Sequence, residues 1–182
     1  LASVIGADEA GEHLRSLLDA LSIGDSCMVA DASRPTTIKT RVISNGQQLL
    51  RVDEETTSPI SLEVSELLTS RCRQLMESGT IDVVIFEDYD KGVLTPQGIG
   101  SLIEAAKNCK IPVTVDPKFN QFLAYKDVDL FKPNLKELRE GLNAVIGKND
   151  DQAIEAAIDD LTLKLNANRV LVTLSERGVW MH

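Results

Sequence analysis

Short apolar segments alternate with helical segments in the second half of the chain, and this alternation limits the fold more than any other feature. Residues 81–86 (IDVVIF), 111–115 (IPVTV) and 169–174 (RVLVTL) are apolar along most of their length, whereas residues 96–108 and 151–165 have helical spacing. Strands of this kind, separated by helices, are typical of a parallel sheet that helices cover on both faces. The sequence therefore predicts an α/β fold built on a mostly parallel sheet.

Further elements extend this pattern along the chain. Helices are predicted at residues 8–21, 61–77 and 135–142, and a short strand at residues 129–131. The chain has 182 residues, of which 43% are hydrophobic, and this is enough to bury the core of one globular domain.

A β-hairpin is predicted within residues 36–52, because β-rich segments flank the Asn45-Gly46 dipeptide. Asn-Gly is the strongest short-range signal for a two-residue hairpin turn. With such a turn, one face is expected to carry Lys39, Arg41, Leu50 and Val52, and the other Ile38, Val42, Leu49 and Arg51. Both faces are then expected to be partly basic and partly apolar.

Residues 33–55 concentrate positive charge in an otherwise acidic chain. They contain Arg34, Lys39, Arg41 and Arg51, whereas the whole chain has a formal net charge of -9. An acidic chain is a poor partner for nucleic acid, so a local basic cluster predicts a small anion. The structural alternative is an edge hairpin whose charges prevent aggregation.

The composition also argues against several other classes of protein. No apolar run reaches about 18 residues, the length of a membrane span, and no signal-peptide pattern opens the chain, so a cytoplasmic location is expected. The three cysteines are odd in number and lack CxxC spacing, and the chain has only two histidines. Neither a disulfide framework nor a thiolate zinc site is therefore predicted.

Polar and charged side chains follow four of the predicted strands. Ligands of open parallel sheets bind beyond the carboxyl ends of the strands, so these side chains are candidates for a binding site. They are Asp88, Asp90 and Lys91 after residues 81–86, Asp116 and Lys118 after residues 111–115, Asn134 and Glu137 after residues 129–131, and Ser175 and Gly178 after residues 169–174.

Each of these segments also has a structural interpretation. Asn134 and Glu137 have the N-cap and N3 spacing of a capping box. Asp116 and the following proline can simply end a strand, and the DYDKG and SERG segments can be solvated turns. Near the start of the chain, VIGADEAG can begin a helix with Asp8 as its N-cap.

The same residues suit phosphoryl transfer. This reaction depends on positioning and on neutralising negative charge around phosphates. Glu137 can hold Mg²⁺ through water, since magnesium takes few carboxylates, and Lys91 and Lys118 can supply positive charge. The chain has no G-x-x-x-x-G-K-[ST] motif, which argues against a P-loop enzyme.

The motifs resemble those of the ribokinase-like (PfkB-type) sugar kinases over nearly the whole chain. In order, they are GADEAG, SRPTTIKTRV, QQLLRVDEE, EDYDKG, VDPK, KPNLKE and VTLSERG. Within that family, the RPTT-K-R and DYDKG elements are most similar to the bacterial kinases of D-glycero-β-D-manno-heptose 7-phosphate. The resemblance implies a layered α/β fold with a β-hairpin lid at residues 33–55. It also implies ATP-dependent phosphorylation of the sugar at C1, giving the 1,7-bisphosphate for ADP-heptose and lipopolysaccharide synthesis.

The resemblance further implies roles for individual residues. The hairpin is expected to cover the sugar and to form the contact of a homodimer. Mg²⁺ is expected at Glu137. The expected substrate-binding residues are Arg34, Lys39, Arg41, Asp88 and Lys91, and the expected nucleotide-binding residues are Asp116, Lys118, Asn134, Ser175 and Gly178.

The chain departs from the family pattern in two respects. Ser175 stands where the nucleotide loop T-x-G-x-x-G has its first glycine, and a positive φ there costs a serine about 1 kcal/mol. The G-A-G-D element with the general-base aspartate is expected beyond His182, and the start of the domain is expected before Leu1. Residues 1–182 are therefore predicted to be part of a kinase domain that is inactive by itself.

Two other functions remain open. One is the phosphorylation of a different sugar by a kinase of the same family. The other is a ligand-binding or dimerisation module that keeps the fold without the chemistry. A nicotinamide-dependent enzyme is disfavoured, because no G-x-G-x-x-G motif follows a predicted strand.

Overall fold

The computed structural model describes residues 1–182, which form two compact units. The first unit comprises Leu1–Cys72 and Lys91–Val93, and the second comprises Arg73–Asp90 and Leu94–His182. The chain passes from the first to the second within helix α2 (Leu62–Glu77). Both units contain strands and helices, as the predicted α/β class requires. None of the helices is both long enough and apolar enough to cross a membrane.

The first unit begins with two parallel strands joined by a helix. Strand β1 (Ala2–Gly6) pairs with β2 (Cys27–Asp31), and α1 (Glu9–Ala20) connects them. Ile5, Leu18 and Met28 form the core between these elements. Helix α1 agrees with the prediction for residues 8–21. Neither strand is predicted above, because each is only five residues long and their pairing partner lies more than 20 positions away.

The hairpin of the first unit consists of β3 (Ile38–Ser44) and β4 (Gln47–Glu54), which pair in antiparallel orientation. Its turn is the predicted one, since Asn45 has φ 50° and Gly46 has φ 77°. The predicted distribution of side chains between the two faces is wrong, however. A β-bulge leaves Leu49 unpaired, so that Val42 faces Leu50 and Arg41 faces Arg51.

This one-residue shift separates the side chains of the hairpin by polarity. We call the side that carries Lys39, Arg41, Arg51 and Asp53 the charged face; Glu55 follows β4 on the same side. The opposite side, which we call the apolar face, carries Ile38, Thr40, Val42, Leu50 and Val52, with Glu54 at its end opposite Ile38. All four of its aliphatic side chains are exposed.

The second unit contains a parallel sheet of three strands, β5 (Val84–Glu87), β6 (Val113–Asp116) and β7 (Leu130–Phe131). Single parallel bridges join Phe131 to Val170 and Asn134 to Thr173, which aligns β8 (Leu171–Thr173) with β7. Strand β8 then forms a hairpin with β9 (Val179–Met181). Strands β5 to β8 therefore run in one direction, and the predicted parallel sheet is confirmed.

Three helices of the second unit begin and end at the predicted residues. They are α3 (Pro96–Asn108), α4 (Leu135–Leu142) and α5 (Asp151–Leu165). Thr95 caps α3 by accepting a hydrogen bond from the Gly98 amide, and Asp150 caps α5 in the same way. The core of this unit includes Ile99, Tyr125, Phe131, Leu138, Ile154 and Leu161, all fully buried.

Candidate functional site

In the first unit, the turn between β1 and α1 is tied to the segment that leads into the hairpin. Asp8 accepts hydrogen bonds from the Gly11 amide (2.8 Å), the Thr36 amide (2.8 Å) and the Thr36 hydroxyl (2.6 Å). The Thr36 hydroxyl in turn accepts a hydrogen bond from the Gly6 amide at 2.8 Å. The bonds from Thr36, and then that from Gly11, lower the pKa of Asp8. Asp8 thus caps α1, as the structural interpretation predicts, and also positions the start of the hairpin.

The two glycines of this turn allow the close approach of the chain. A Cβ atom at Gly6 would lie 2.3 Å from Asp8 Oδ2 and 2.6 Å from the Thr36 amide nitrogen. A Cβ atom at Gly11 would lie 2.5 Å from the carbonyl oxygen of Gly6. The G-x-D-x-x-G pattern therefore has a packing reason, because any side chain at either glycine would push the turn away from Thr36.

Arg34 lies in the segment that leads into the hairpin and is 9% exposed. Its Nη2 donates a hydrogen bond to the carbonyl oxygen of Lys91 at 2.6 Å and a longer one to that of Thr56 at 3.5 Å. Burial lowers the pKa of Arg34. The guanidinium therefore joins two backbone segments, and its predicted contact with substrate stays a prediction.

A chain of ion pairs runs along the charged face. Lys91 Nζ lies 2.7 Å from Glu55 Oε1, and Glu55 Oε2 lies 3.0 Å from Lys39 Nζ. Lys39 Nζ is also 3.2 Å from Asp53 Oδ2, and Asp53 Oδ1 is 3.0 Å from Arg51 Nε. The ion pairs with Lys91 and Lys39 lower the pKa of Glu55. Two of the predicted substrate-binding residues, Lys39 and Lys91, thus share one carboxylate.

In the second unit, Asp88 follows β5 and is 5% exposed. Its Oδ2 accepts a hydrogen bond from the Tyr125 hydroxyl at 2.8 Å, and its Oδ1 accepts one from the Asp90 amide at 2.8 Å. Burial and the charge of Asp88 raise the pKa of Tyr125. Burial and then Asp88 also raise the pKa of Asp90, which accepts a hydrogen bond from the Asn120 amide. The acidic turn is therefore held by Asp88, and a substrate role for this residue stays a prediction.

The carboxyl ends of β6 and β7 bring together the next candidates. Lys132 donates a hydrogen bond to Asp116 at 2.8 Å, and Lys118 donates one to Oε1 of Glu137. Asn134 and Glu137 form a complete capping box, with hydrogen bonds of 2.9 and 2.8 Å. Burial by itself would lower the pKa of Lys118. The hydrogen bond that Lys118 donates to Glu137 outweighs this effect, so the pKa of Lys118 is raised overall. Asn134 and Glu137 thus have the structural role that their spacing indicates.

The donor set at this edge fits a magnesium ion that is held mainly by water and phosphate. No group of three or more His, Cys, Asp or Glu side chains is arranged as a metal cage. Glu137 is 8% exposed and is fixed through Oε2, which leaves Oε1 to be shared between Lys118 and a hydrated cation. Magnesium typically uses only one or two carboxylates together with waters and substrate phosphates, so these residues suit it.

The loop after β8 has the unusual backbone that the family pattern indicates. Ser175 has φ 55° and Gly178 has φ 86°, both in the left-handed region. A serine is strained there, whereas glycine is not. The bridge between Asn134 and Thr173 brings the start of this loop beside the capping box of α4.

Several residues that hold the candidates in place are absent from the predicted set. They are Thr36, Asp53, Glu55, Tyr125 and Lys132. The alternating charges of RVDEE were a usable signal for Asp53 and Glu55, because residues at i and i+2 share a face of a strand. No local signal identifies Tyr125, since it lies 37 positions from Asp88.

Comparison with known proteins agrees with this arrangement. The family model for pfkB family carbohydrate kinases matches residues 1–182. The bifunctional protein HldE of Wolinella succinogenes is 36% identical over 176 residues, which is 97% of this chain and 36% of that protein. HldE of a Caulobacter species is 39% identical over 179 residues, with coverage of 98% and 36%. The chain thus spans about a third of the length of these curated relatives.

Solved structures show the same fold. Phosphofructokinase-2 from Escherichia coli, in a tetrameric inhibited form, has a TM-score of 0.74 at 20% identity, covering 98% of this chain and 57% of its own. Its complex with fructose-6-phosphate has a TM-score of 0.72 at 21% identity, with coverage of 98% and 57%. Ribokinase from Giardia lamblia has a TM-score of 0.73 at 17% identity, with coverage of 99% and 54%. The predicted ribokinase-like fold is therefore confirmed.

Proposed function

The chain belongs to the pfkB family of carbohydrate kinases, and on this premise we propose that the whole protein transfers a phosphoryl group from ATP to a sugar phosphate. The observation that carries the proposal is the charged face of the hairpin. It has more cations than carboxylates in a chain of net charge -9, so its ligand is expected to be a small anion. A sugar that already carries a phosphate group has that chemistry.

The substrate we propose is D-glycero-β-D-manno-heptose 7-phosphate, phosphorylated at C1 to give the 1,7-bisphosphate. Curated relatives with 36% and 39% identity carry the name HldE, and the RPTT-K-R and DYDKG motifs resemble the heptose 7-phosphate kinases. Phosphofructokinase-2 from Escherichia coli, which shares the fold, has been solved with fructose-6-phosphate. A phosphorylated sugar is thus an established kind of ligand for this fold.

In this proposal the first unit binds the sugar phosphate. Lys39, Arg41 and Lys91 supply positive charge, and Arg34 holds the segment that leads into the hairpin through its bonds to the backbone carbonyls of Lys91 and Thr56. Asp8 keeps the base of the hairpin next to the β1–α1 turn through Thr36. Asp88 stays a predicted substrate-binding residue.

The second unit is proposed to bind the nucleotide. Asp116 ends strand β6, and four further residues lie after the carboxyl ends of three parallel strands, where ligands of such sheets bind: Lys118, Asn134, Ser175 and Gly178. Glu137 would hold Mg²⁺, which neutralises charge on the phosphates when it is bound. Lys118 can then turn from Glu137 towards a phosphate. ATP as the donor agrees with the expected cytoplasmic location.

The test is phosphorus NMR of the full-length protein with magnesium-ATP and the heptose 7-phosphate, with fructose 6-phosphate and ribose as comparison substrates. A new phosphate at C1 of the heptose alone is the expected result. Transfer only to another sugar would reassign the substrate within the family. No transfer to any of them, by protein that still binds ATP, would favour the non-catalytic module.

We also propose that the apolar face of the hairpin forms a homodimer. Its aliphatic side chains, Ile38, Val42, Leu50 and Val52, are between 36% and 55% exposed. Exposing four neighbouring aliphatic side chains on one face of a two-stranded sheet to water is unfavourable, so we expect another surface to cover them. A second copy of the same face is self-complementary, as a two-fold interface requires.

Light scattering after size-exclusion chromatography tests this proposal. The protein is expected to have the mass of a dimer, and Leu50→Glu is expected to have that of a monomer, because a carboxylate cannot be buried unpaired. Val145→Glu is the matched control, since Val145 is fully exposed at 103%. A monomeric wild type, or a Leu50→Glu variant that stays dimeric, contradicts the proposal.

A further inference from the structure

The loop between β8 and β9 is closed by hydrogen bonds within itself. The Leu174 amide donates to the carbonyl oxygen of Gly178 at 2.8 Å, and the Arg177 amide donates to that of Leu174 at 3.2 Å. The Gly178 amide donates to the carbonyl oxygen of Ser175 at 3.1 Å. These three bonds shape the turn, but none of them reaches a neighbouring element. The orientation of the loop therefore depends on its side chains as well as on the two strands.

Arg177 attaches the loop to the segment that leads into α5. Its Nη1 donates a hydrogen bond to the carbonyl oxygen of Lys148 at 2.6 Å, and its Nη2 donates one to Oδ1 of Asp151, the first residue of α5. The side chain of Arg177 is only 26% exposed. A guanidinium can reach two acceptors at once, because its donors form a rigid planar fork. One side chain thus fixes the loop to residues 148–151.

Glu176 makes a second contact with the same segment. Its Oε1 lies 2.7 Å from Lys148 Nζ, and the hydrogen bond from Lys148 lowers the pKa of Glu176. The side chains of Glu176 and Lys148 are 66% and 61% exposed. Because exposed ion pairs contribute little to stability, most of the attachment is expected to come from Arg177. Glu176 therefore offers a comparison on the same loop.

The partners of Arg177 indicate that it holds the loop rather than a ligand. Asp151 neutralises the guanidinium, and the carbonyl group of Lys148 is its second acceptor. These partners lie at a fixed helix start, because Asp150 caps α5 with a hydrogen bond from the Ala153 amide at 3.0 Å. The helix dipole also stabilises a carboxylate in the first turn. Arg177 therefore joins the loop to a rigid anchor.

We propose that Arg177 is a positioning residue for nucleotide binding, because it holds the loop that carries Ser175 and Gly178 against the start of α5. The role of these two residues in binding nucleotide rests on the proposed function, whereas the attachment of the loop does not. Without Arg177, the loop adopts further orientations, and only a fraction of the molecules can bind. The apparent dissociation constant rises as that fraction falls.

The first experiment measures the binding of magnesium-ATP and magnesium-ADP to the full-length protein by calorimetry, without any sugar. Arg177→Gln is expected to raise both dissociation constants about tenfold. Arg177→Lys is expected to lie between Arg177→Gln and the wild type, since an ammonium group keeps the charge but not the fork. Glu176→Gln is expected to change binding less than about threefold. Arg169→Gln, at an exposed position, is the matched control and is expected to bind like the wild type.

A change at Asp151 distinguishes positioning from direct contact with the nucleotide. If Arg177 positions the loop, Asp151→Asn also weakens binding, and the double variant with Arg177→Gln binds no more weakly than Arg177→Gln alone. If Arg177 instead contacts a phosphate, Asp151→Asn releases the guanidinium and binding becomes tighter, which would overturn the proposal. A purely structural role would lower the melting temperature of Arg177→Gln and leave its dissociation constants unchanged, which would overturn it as well.

Kinetics then separate this inference from the proposed function. Arg177→Gln is expected to raise KM for ATP about tenfold, with little change in kcat or in KM for the sugar phosphate. If nucleotide binding depends on Arg177 but no sugar is phosphorylated, the inference stands and the proposed function falls. If Arg177→Gln phosphorylates the heptose phosphate with an unchanged KM for ATP, the function stands and the inference falls.

Discussion

The charged face of the first unit and the sheet edge of the second unit both place carboxylates among cations, but they hold them differently. On the charged face, Asp53 and Glu55 contact only the flexible side chains of lysine and arginine. At the sheet edge, Asp88 and Glu137 each accept a hydrogen bond from a backbone amide, and both are buried.

This difference indicates what each region can do. The side chains of Asp53 and Glu55 are only 21% and 20% exposed, but no backbone amide holds them, so a ligand can displace their lysine and arginine partners at smaller cost. Removing the hydrogen-bond partner of a buried carboxylate costs more free energy, because water cannot reach the buried group to replace the lost bond. The charged face therefore suits the exchangeable ligand proposed above, and the sheet edge is the more rigid of the two regions.

The largest expected effect tests whether the turn between β1 and α1, in the same unit as the charged face, tolerates an added side chain. Gly6→Ala is expected to lower the free energy of unfolding by about 3 kcal/mol, because its Cβ would lie 2.3 Å from Asp8 and 2.6 Å from the Thr36 backbone. Chemical denaturation provides the measurement. Gly100→Ala is the control, since nothing lies within 4 Å of a Cβ there, and it is expected to gain up to about 1 kcal/mol. A Gly6→Ala variant as stable as the wild type would mean that the turn can shift away from Asp8 and Thr36 without loss of stability.

The second prediction concerns the fixed frame of the sheet edge. Tyr125→Phe is expected to cost about 2 kcal/mol of unfolding free energy, because it leaves Oδ2 of the buried Asp88 without its donor. Tyr89→Phe is the control, since Tyr89 is 64% exposed, and it should change little. Equal losses for the two variants, measured by denaturation, would show that the bond to Asp88 contributes nothing specific.

The third prediction uses the strained loop after β8. Ser175→Gly is expected to raise the free energy of unfolding by about 1 kcal/mol, because glycine tolerates the φ of 55° that serine holds here. Ser70→Gly, in the middle of α2, is expected to lower it by about 0.5 kcal/mol. The opposite signs distinguish relief of strain from a general effect of glycine; a loss at Ser175 would contradict the assignment.

The smallest expected effect is pH-dependent and concerns Asp90. Its folded-state pKa is raised above the ordinary value of 3.8, so the protonated form stabilises the fold and this contribution is lost as the pH rises through the folded pKa. Asp90→Asn is therefore expected to be more stable than the wild type at neutral pH, by about 0.5 kcal/mol or less after solvent screening.

The difference between Asp90→Asn and the wild type should shrink as the pH falls below 3.8. Thermal melts at a series of pH values provide the measurement. Asparagine accepts the same backbone conformation, with φ near 54°, and can keep the hydrogen bond from the Asn120 amide. Asp82→Asn, at an exposed position, is the control, and a parallel pH dependence for both variants would contradict the role of burial.

Much of the fold and part of the candidate site could be predicted from sequence. Helices α3, α4 and α5 begin where Thr95, Asn134 and Asp150 cap them, because N-capping involves residues only three positions apart. The turn at Asn45-Gly46 follows from the backbone preferences of those two residues. The capping box of Asn134 and Glu137 is equally local, because the spacing of these two residues indicates it. Their position directly after a predicted strand indicates that they lie at the sheet edge.

The remaining features depend on contacts between distant positions. A single unpaired residue, Leu49, decided which side chains share the charged face, and no local pattern indicates where a bulge will form. Asp8 meets Thr36 from 28 positions away, and Asp88 meets Tyr125 from 37. The sequence by itself thus determined most of the elements, the helix caps and the hairpin turn, since these depend on neighbouring residues, but not strands β1 and β2. Only the tertiary structure decided which side chains face each other, because strand register and burial depend on the whole fold.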